Sequence, residues 1–287
     1  MRRKLSTAAP PPKSEGAVKP ATQRLTIMLR NWTYPEFRKI LKKAAREERG
    51  HKEVSVFRHL YCYLRALELR SQGLPLNEIA ATLTREAGWP SINTIKRWLR
   101  RAAMPTITTF DVRRPEVGFI IGAVLAEGDA YIEYRNEKNR IRGYRVDFYN
   151  ASEDFLQEYI AAAKRLGLRP YRKPHLGIAK IRIDSALLWL LTRYYRDFIL
   201  STIESVQAEF LRGLFLGDGS LKNHEAITNC DVELVGVTER LLTKFGIDFS
   251  ERREGPKGEY RVYVKANSWR KYLKLVGLAE SPPRSLP

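Results

Sequence analysis

The sequence predicts an α+β protein made of two similar halves behind an all-helical region. Three observations predict it. Apolar residues recur at 3-4 spacing through much of the first hundred residues, the period of amphipathic helices. An apolar helix ending in acid-glycine occurs twice, about ninety residues apart, which marks an internal duplication. Strand-like and helix-like stretches then follow each copy in the same order.

The 287 residues carry 51 Lys+Arg against 32 Asp+Glu, a net charge of +19, which points to a polyanionic partner rather than a small-metabolite enzyme. Residues 1–110 hold 22 basic and 8 acidic residues, so most of the excess precedes the duplication. Two cysteines, Cys62 and Cys230, lie far apart without zinc-ligand spacing, and the four histidines form no cluster. That usage fits a reducing, cytoplasmic compartment, with nucleoid association if the partner is DNA. No run approaches the roughly 18 apolar residues of a membrane span.

In chain order, residues 1–24 mix proline, small polar residues and positive charge with little to bury, and read as a disordered basic arm. Residues 25–103 form a helical domain. Within it Phe37, Ile40, Leu41 and Ala44 share one helix face, and another helix follows around "VSVFRHLYCYLRALELRS". "GLPLNEIAATLTREAGWPSINTIKRWLRR" resembles a helix-turn-helix: Leu76, Ile79, Ala80 and Leu83 line a first helix, Gly88 and Pro90 make the turn, and Ser91 caps the second. That second helix turns Ile95, Trp98 and Leu99 inward and presents Asn93, Thr94, Lys96, Arg97 and Arg100, as a helix entering the DNA major groove would. Residues 104–114 read as a linker.

The duplicated units run over 115–200 and 205–280. "GFIIGAVLAEGDAYI" and "EFLRGLFLGDGSLK" align without a gap, pairing Gly122 with Gly213, Glu127 with Asp218 and Gly128 with Gly219. "NASEDFLQEYIAAAKRLGL" and "NCDVELVGVTERLLTKFGI" match again downstream, from Asn150 and Asn229. Gly122 with Ala126, and Gly213 with Gly217, put small residues one turn apart on each helix, so the two helices can pack almost backbone to backbone. Running side by side in the same sense, they would deliver Glu127 and Asp218 together at helix C-termini, where the dipole disfavours acids. A cation between them would offset both costs. Each acid is expected to sit just before a helix-ending glycine, and Asp129 is the alternative acid of the first motif.

These motifs resemble those of the LAGLIDADG homing endonucleases, in the single-chain form with two motifs, and "FLRGLFLGDGS" is close to versions in archaeal members. The resemblance spans about 165 residues, from near Pro115 to near Leu278. It implies two pseudo-symmetric αββαββα repeats whose motif helices meet at the centre and whose four-stranded sheets form a saddle on double-stranded DNA, as a monomer needing no protein partner. The resemblance further implies that Glu127 and Asp218 bind Mg²⁺ (or Mn²⁺), with the carbonyls of Ala126 and Gly217 as secondary ligands, for hydrolysis of phosphodiesters in both strands.

Basic residues in such pockets position water or stabilise charge. Aligning Ser185 with Ser268 makes Arg182 and Lys265 equivalent, with Lys180 on the same strand face as Arg182 as a further candidate. From acid to matched asparagine the first copy runs 23 residues and the second 11. The extra length holds Arg135, Arg140, Arg142 and Arg145, candidates for contacts to phosphates or guanine edges. Lys222, Asn223 and His224 stand at the corresponding place in the second copy, joined by Arg252, Arg253, Lys257 and Arg261. Glu127 departs from the more usual Asp, and the helical region ahead of the first motif is an addition. The alternative reading is a non-cleaving DNA-binding regulator, or a maturase acting on intron RNA, on the same scaffold.

Overall fold

Two helices cross the middle of the protein side by side: α6 (Pro115–Glu127) and α10 (Glu204–Asp218). A computed structural model describes residues 20–47, 55–100, 104–135, 140–175, 177–254 and 258–278. Pro115 opens α6 at its first turn, where its missing N–H costs nothing. Val117 to Val124 are then buried without interruption, as expected for a helix packed on all sides.

The glycines bring the two backbones into contact. A Cβ on Gly118 would stand 1.9 Å from the carbonyl oxygen of Val206, one on Gly122 2.2 Å from that of Phe210, and one on Gly213 2.3 Å from that of Phe119. Contacts advance together along both helices, Gly118 to Val206, Gly122 to Phe210 and Gly217 to Ala126, so the helices run parallel.

In the first repeat, β1 (Gly128–Arg135), β2 (Arg140–Asn150), β3 (Pro170–His175) and β4 (Ile178–Asp184) form an antiparallel sheet in the order β1-β2-β4-β3. Side chains alternate between its faces. Val146, Phe148, Ile181 and Ile183 point to the helices, where Phe148 stacks on Tyr159 of α7 (Glu153–Arg165), ring centroids 4.4 Å apart. Asp129, Tyr131, Asp147, Lys180 and Arg182 share the other, outer face.

The second repeat has three strands, β5 (Glu225–Asn229), β6 (Phe249–Glu254) and β7 (Glu259–Val264), in the order β5-β7-β6. This corrects the expectation of four. Only six residues separate Asp218 from Glu225, too few for a strand and a turn, so the counterpart of β1 shrinks to one bridge between Ser220 and Glu225.

Ahead of the repeats stand α1 (Pro20–Thr33), α2 (Pro35–Glu47), α3 (Val56–Ser71), α4 (Leu76–Ala87) and α5 (Ile92–Leu99). Helix α1 begins inside the stretch expected to be a disordered arm; residues 1–19 of that arm lie outside the described residues. Met28 and Trp32, spaced one turn apart, are buried and tie α1 down, an apolar pair too short to register as a pattern amid the surrounding Thr, Gln and Arg.

Residues 104–114 are a packed strap rather than a free linker. Ile107, Phe110 and Val112 are buried, Asn31 donates to the Phe110 carbonyl (2.8 Å) and accepts from the Val112 N–H (3.2 Å), and Arg113 grips Glu36 bidentately at 2.7 and 3.0 Å. Phe57 of α3 stacks on Trp189 (5.6 Å) of α8 (Ala186–Arg193), which is followed by the short α9 (Tyr195–Ile199), and the stack fixes the helical region against the first repeat.

A buried ion network crosses the first sheet. Asp147 is fully buried; it accepts from Arg182 Nε at 2.9 Å and Tyr131 Oη at 3.0 Å and pairs with Lys180 Nζ at 2.5 Å. Removing one member of such a cluster strands the others, so Asp147→Ala is expected to cost about 3–5 kcal/mol of unfolding free energy. Urea denaturation followed by circular dichroism measures it.

Candidate active site at the tips of the two parallel helices

The parallel packing places both motif acids at one end. A Cβ on Gly217 would approach Glu127 Cγ to 3.1 Å, so the Glu127 side chain lies over the last turn of α10 beside Asp218. The following glycines end both helices as expected, and neither does so in the left-handed conformation. Gly128 (φ −150°) and Gly219 (φ −90°) are extended, and each is a glycine because of close approach: a Cβ would stand 2.4 Å from the Asp147 carbonyl in the first case and 2.6 Å from the Phe215 carbonyl in the second. Asp129 is exposed on β1, facing Asp147 in the strand register.

Both carboxylates are electrostatically costly. Burial pushes the Asp218 carboxyl up to about 7; the Asn229 amide, donating to it at 2.8 Å, opposes this, and the Glu127 charge adds to it. Burial also raises Glu127 above the ordinary carboxylate range. A folded-state pKa above the unfolded one means that the folded chain binds more protons between about pH 4 and 7, so stability falls as pH rises through that window. Asp218→Asn is therefore expected to raise the thermal midpoint in EDTA at pH 8, by about 2–4 °C for each kcal/mol relieved, and to leave it unchanged near pH 4. Calorimetry at the two pH values checks the sign.

The donor set fits a hard divalent cation. Among the described residues no group of three or more His, Cys, Asp or Glu could hold a metal; the two helix tips offer a pair of desolvated carboxylates. Mg²⁺ is ordinarily held in this way, by one or two carboxylates with waters and substrate phosphates completing the shell. Ala126 and Gly217 touch each other at the crossing, which brings the last turns of both helices to one place.

The basic candidates separate. Lys180 and Arg182 lie on the outer face, both anchored on Asp147, and Lys180 also donates to Tyr149 Oη at 3.1 Å. Lys265 is not the equivalent of Arg182. Asn150 pairs with Ala179 and Asn229 with Tyr260, and stepping from these matched asparagines makes Arg261 the counterpart of Lys180 and Tyr263 that of Arg182. Lys265 caps α12 (Ala266–Leu275) at the far end of β7 from Asn229, and its N–H donates to the Asp248 carbonyl at 2.8 Å. The two serines are not equivalent: Ser185 caps its helix whereas Ser268 lies within α12.

Sequence reasoning missed the buried acids. Asp147 holds Lys180 and Arg182; Glu225, 6 % exposed, reaches Arg261 at 3.3 Å, and an irregularity between Glu225 and Ile227 turns it to that face. Neither acid sits in a motif: Asp147 stands between Val146 and Phe148 in a strand that also carries three arginines, and Glu225 merely opens β5.

Among the proposed DNA contacts, Arg135, Lys222 and Asn223 are exposed. Arg142 pairs with Glu133 at 3.2 Å and stays largely exposed, whereas Arg145 is mostly buried between Glu133 and Asp184 and is less available than its spacing implied. His224 stacks on Trp269 with ring centroids 4.5 Å apart. Lys257 and the side chains of Arg140, Arg252 and Arg253 lie outside the described residues. On α5, Ser91 caps through the Thr94 N–H (3.3 Å), Thr94 and Leu99 are half-buried, and Asn93, Lys96, Arg97 and Arg100 are exposed.

Two parallel glycine-bearing helices flanked by antiparallel sheets are the LAGLIDADG fold. Residues 205–277 match the family described as the LAGLIDADG-like domain. Among solved structures, the homing endonuclease I-DmoI in complex with DNA and Mn is 18 % identical, with a TM-score of 0.51 over 58 % of this chain and 98 % of that one. A variant of I-DmoI in complex with its target DNA in the presence of Mg gives 0.50 at 18 % identity, over 58 % and 97 %. The N-terminal LAGLIDADG domain of DUF199/WhiA gives 0.43 at 19 % identity, over 60 % and 85 %. No curated protein matches the sequence.

Proposed function

We propose that this chain is a monomeric, Mg²⁺- or Mn²⁺-dependent, site-specific endonuclease acting on double-stranded DNA, a homing endonuclease. The observation that carries the reading is the acid pair: two desolvated carboxylates on two helix C-termini, with the Glu127 charge adding to the cost at Asp218, an arrangement that a cation relieves. Glu127 and Asp218 would hold the ion, with the carbonyls of Ala126 and Gly217 beside them. When bound, it would supply a Lewis acid for a phosphoryl oxygen and a nucleophilic hydroxide at neutral pH.

The chain's own residues set the rest. The outer faces of the two sheets take the duplex, the longer β1–β2 hairpin reaches farther than the turn at 221–224, and an asymmetric target follows. Lys180 and Arg261, equivalent across the pseudo-twofold, stand on those faces and serve phosphates beside the acids. The exposed side of α5 gives a second DNA contact.

The test is incubation with fragmented genomic DNA and Mg²⁺ and sequencing of the ends: a recurrent site supports the reading, and uncut DNA at saturating protein refutes it. A binding regulator or an intron RNA maturase is the second reading. One observation favours it: Asp147 already neutralises Lys180 and Arg182, side chains a nuclease would keep for its substrate.

A further inference from the structure

Between α1 and the first repeat lies an open cleft of about 1010 Å³. Its walls come from stretches far apart in sequence: Arg24 and Arg30 on α1, the strap at 106–111, and Arg165 and Arg169 around the turn between α7 and β3. Tyr171 and Asp184 close one side, and both belong to the outer face of the first sheet, where Tyr171 pairs with Arg182 and Asp184 with Arg145. Cleft and sheet face are therefore continuous. Asp184 ends β4 three residues beyond Ile181, the level at which β1 leaves the acid pair, so the cleft lies outward of the site.

Its charges do not balance internally. Asp184 is taken by Arg145, and Asp111 by Arg30 at 3.4 Å and Tyr34 at 3.3 Å. Arg165 shares Glu116 with Arg114. Arg24 and Arg169 make no ion pair among the described residues. Uncompensated guanidinium groups facing one open cleft repel each other, and their spacing over separate elements suits a chain of phosphates rather than one small anion.

We propose that this cleft clamps the phosphate backbone of duplex DNA flanking the stretch that lies on the first sheet. The proposal rests on the reading of that face as a DNA surface, and it gives α1 and the strap a role in the footprint separate from α5.

The salt dependence of binding to a 40-bp random-sequence duplex in EDTA tests it. Each lost phosphate contact lowers the slope of log K against log salt by about 0.9, so Arg24→Ala/Arg169→Ala is expected to lower it by about 1.8 with an unchanged thermal midpoint. Arg240→Ala/Arg270→Ala, the same charge change on the helices of the second repeat, is expected to leave it unaltered. An unchanged slope in the cleft variant, or equal losses in both variants, overturns the clamp while duplex binding by the intact chain stands. No duplex binding by the intact chain would remove the underlying reading and the clamp with it.

Discussion

Asp218→Asn is expected to abolish Mg²⁺-dependent cutting while duplex affinity stays within a few-fold of the parent. The amide keeps the shape of the carboxylate and its place beside Asn229, but it removes the charge that would hold the ion at the tip of α10. A metal ion contributes several kcal/mol to stabilising charge at a phosphoryl centre, and at 1.36 kcal/mol per factor of ten the loss amounts to about a thousandfold or more. Glu127→Gln should behave alike, because the two acids act as one unit. Single-turnover cleavage beside fluorescence anisotropy on the same duplex reads both quantities. Weakened binding with cutting preserved would place the chemistry elsewhere; a regulator would show no cutting to lose.

Gly122→Val is expected to be among the most damaging changes to stability. Its Cβ would meet the Phe210 carbonyl oxygen at 2.2 Å and the Leu214 nitrogen at 3.0 Å, both backbone atoms of a buried helix. No side chain can swing aside, so the helices must part. Overpacking of this kind costs about 1–3 kcal/mol or more, and at its upper end the thermal midpoint should fall by about 6–12 °C. Parting the helices would also separate the two acids, so cutting should fall with stability. Gly236→Ala is the contrast. It lies within α11 (Val232–Lys244) with nothing within 4 Å of the added Cβ, and should stabilise by about 0.5–1 kcal/mol.

Much of the centre was legible because it rests on small residues and acids at fixed offsets. Gly122, Gly213 and Gly217 announced close helix packing, and Glu127 and Asp218 followed from being acids where helix ends disfavour them. Gly118, the tightest contact of all, is not marked by the duplication, because the second copy carries Glu209 at the matching position.

The periphery was harder to read. The missing strand of the second repeat was implicit in the 11-residue spacing, but length alone does not say which element is lost. The strap escaped because its anchors, Asn31 and Glu36, come from helices some eighty residues earlier. Lys265 was misplaced because two serines with different structural duties were aligned; the asparagines that end β2 and β5 carried the correct register.

The central claim is that two parallel helices hold one cation between an acid from each. Loading the protein with Fe²⁺ and treating it with ascorbate and peroxide tests it most directly, since hydroxyl radicals cut the polypeptide next to the ion. The account predicts scission at both 126–128 and 217–219, suppressed by excess Mg²⁺ and lost from both places in Asp218→Asn. Scission at one tip alone, or scission elsewhere that Mg²⁺ does not suppress, would contradict it.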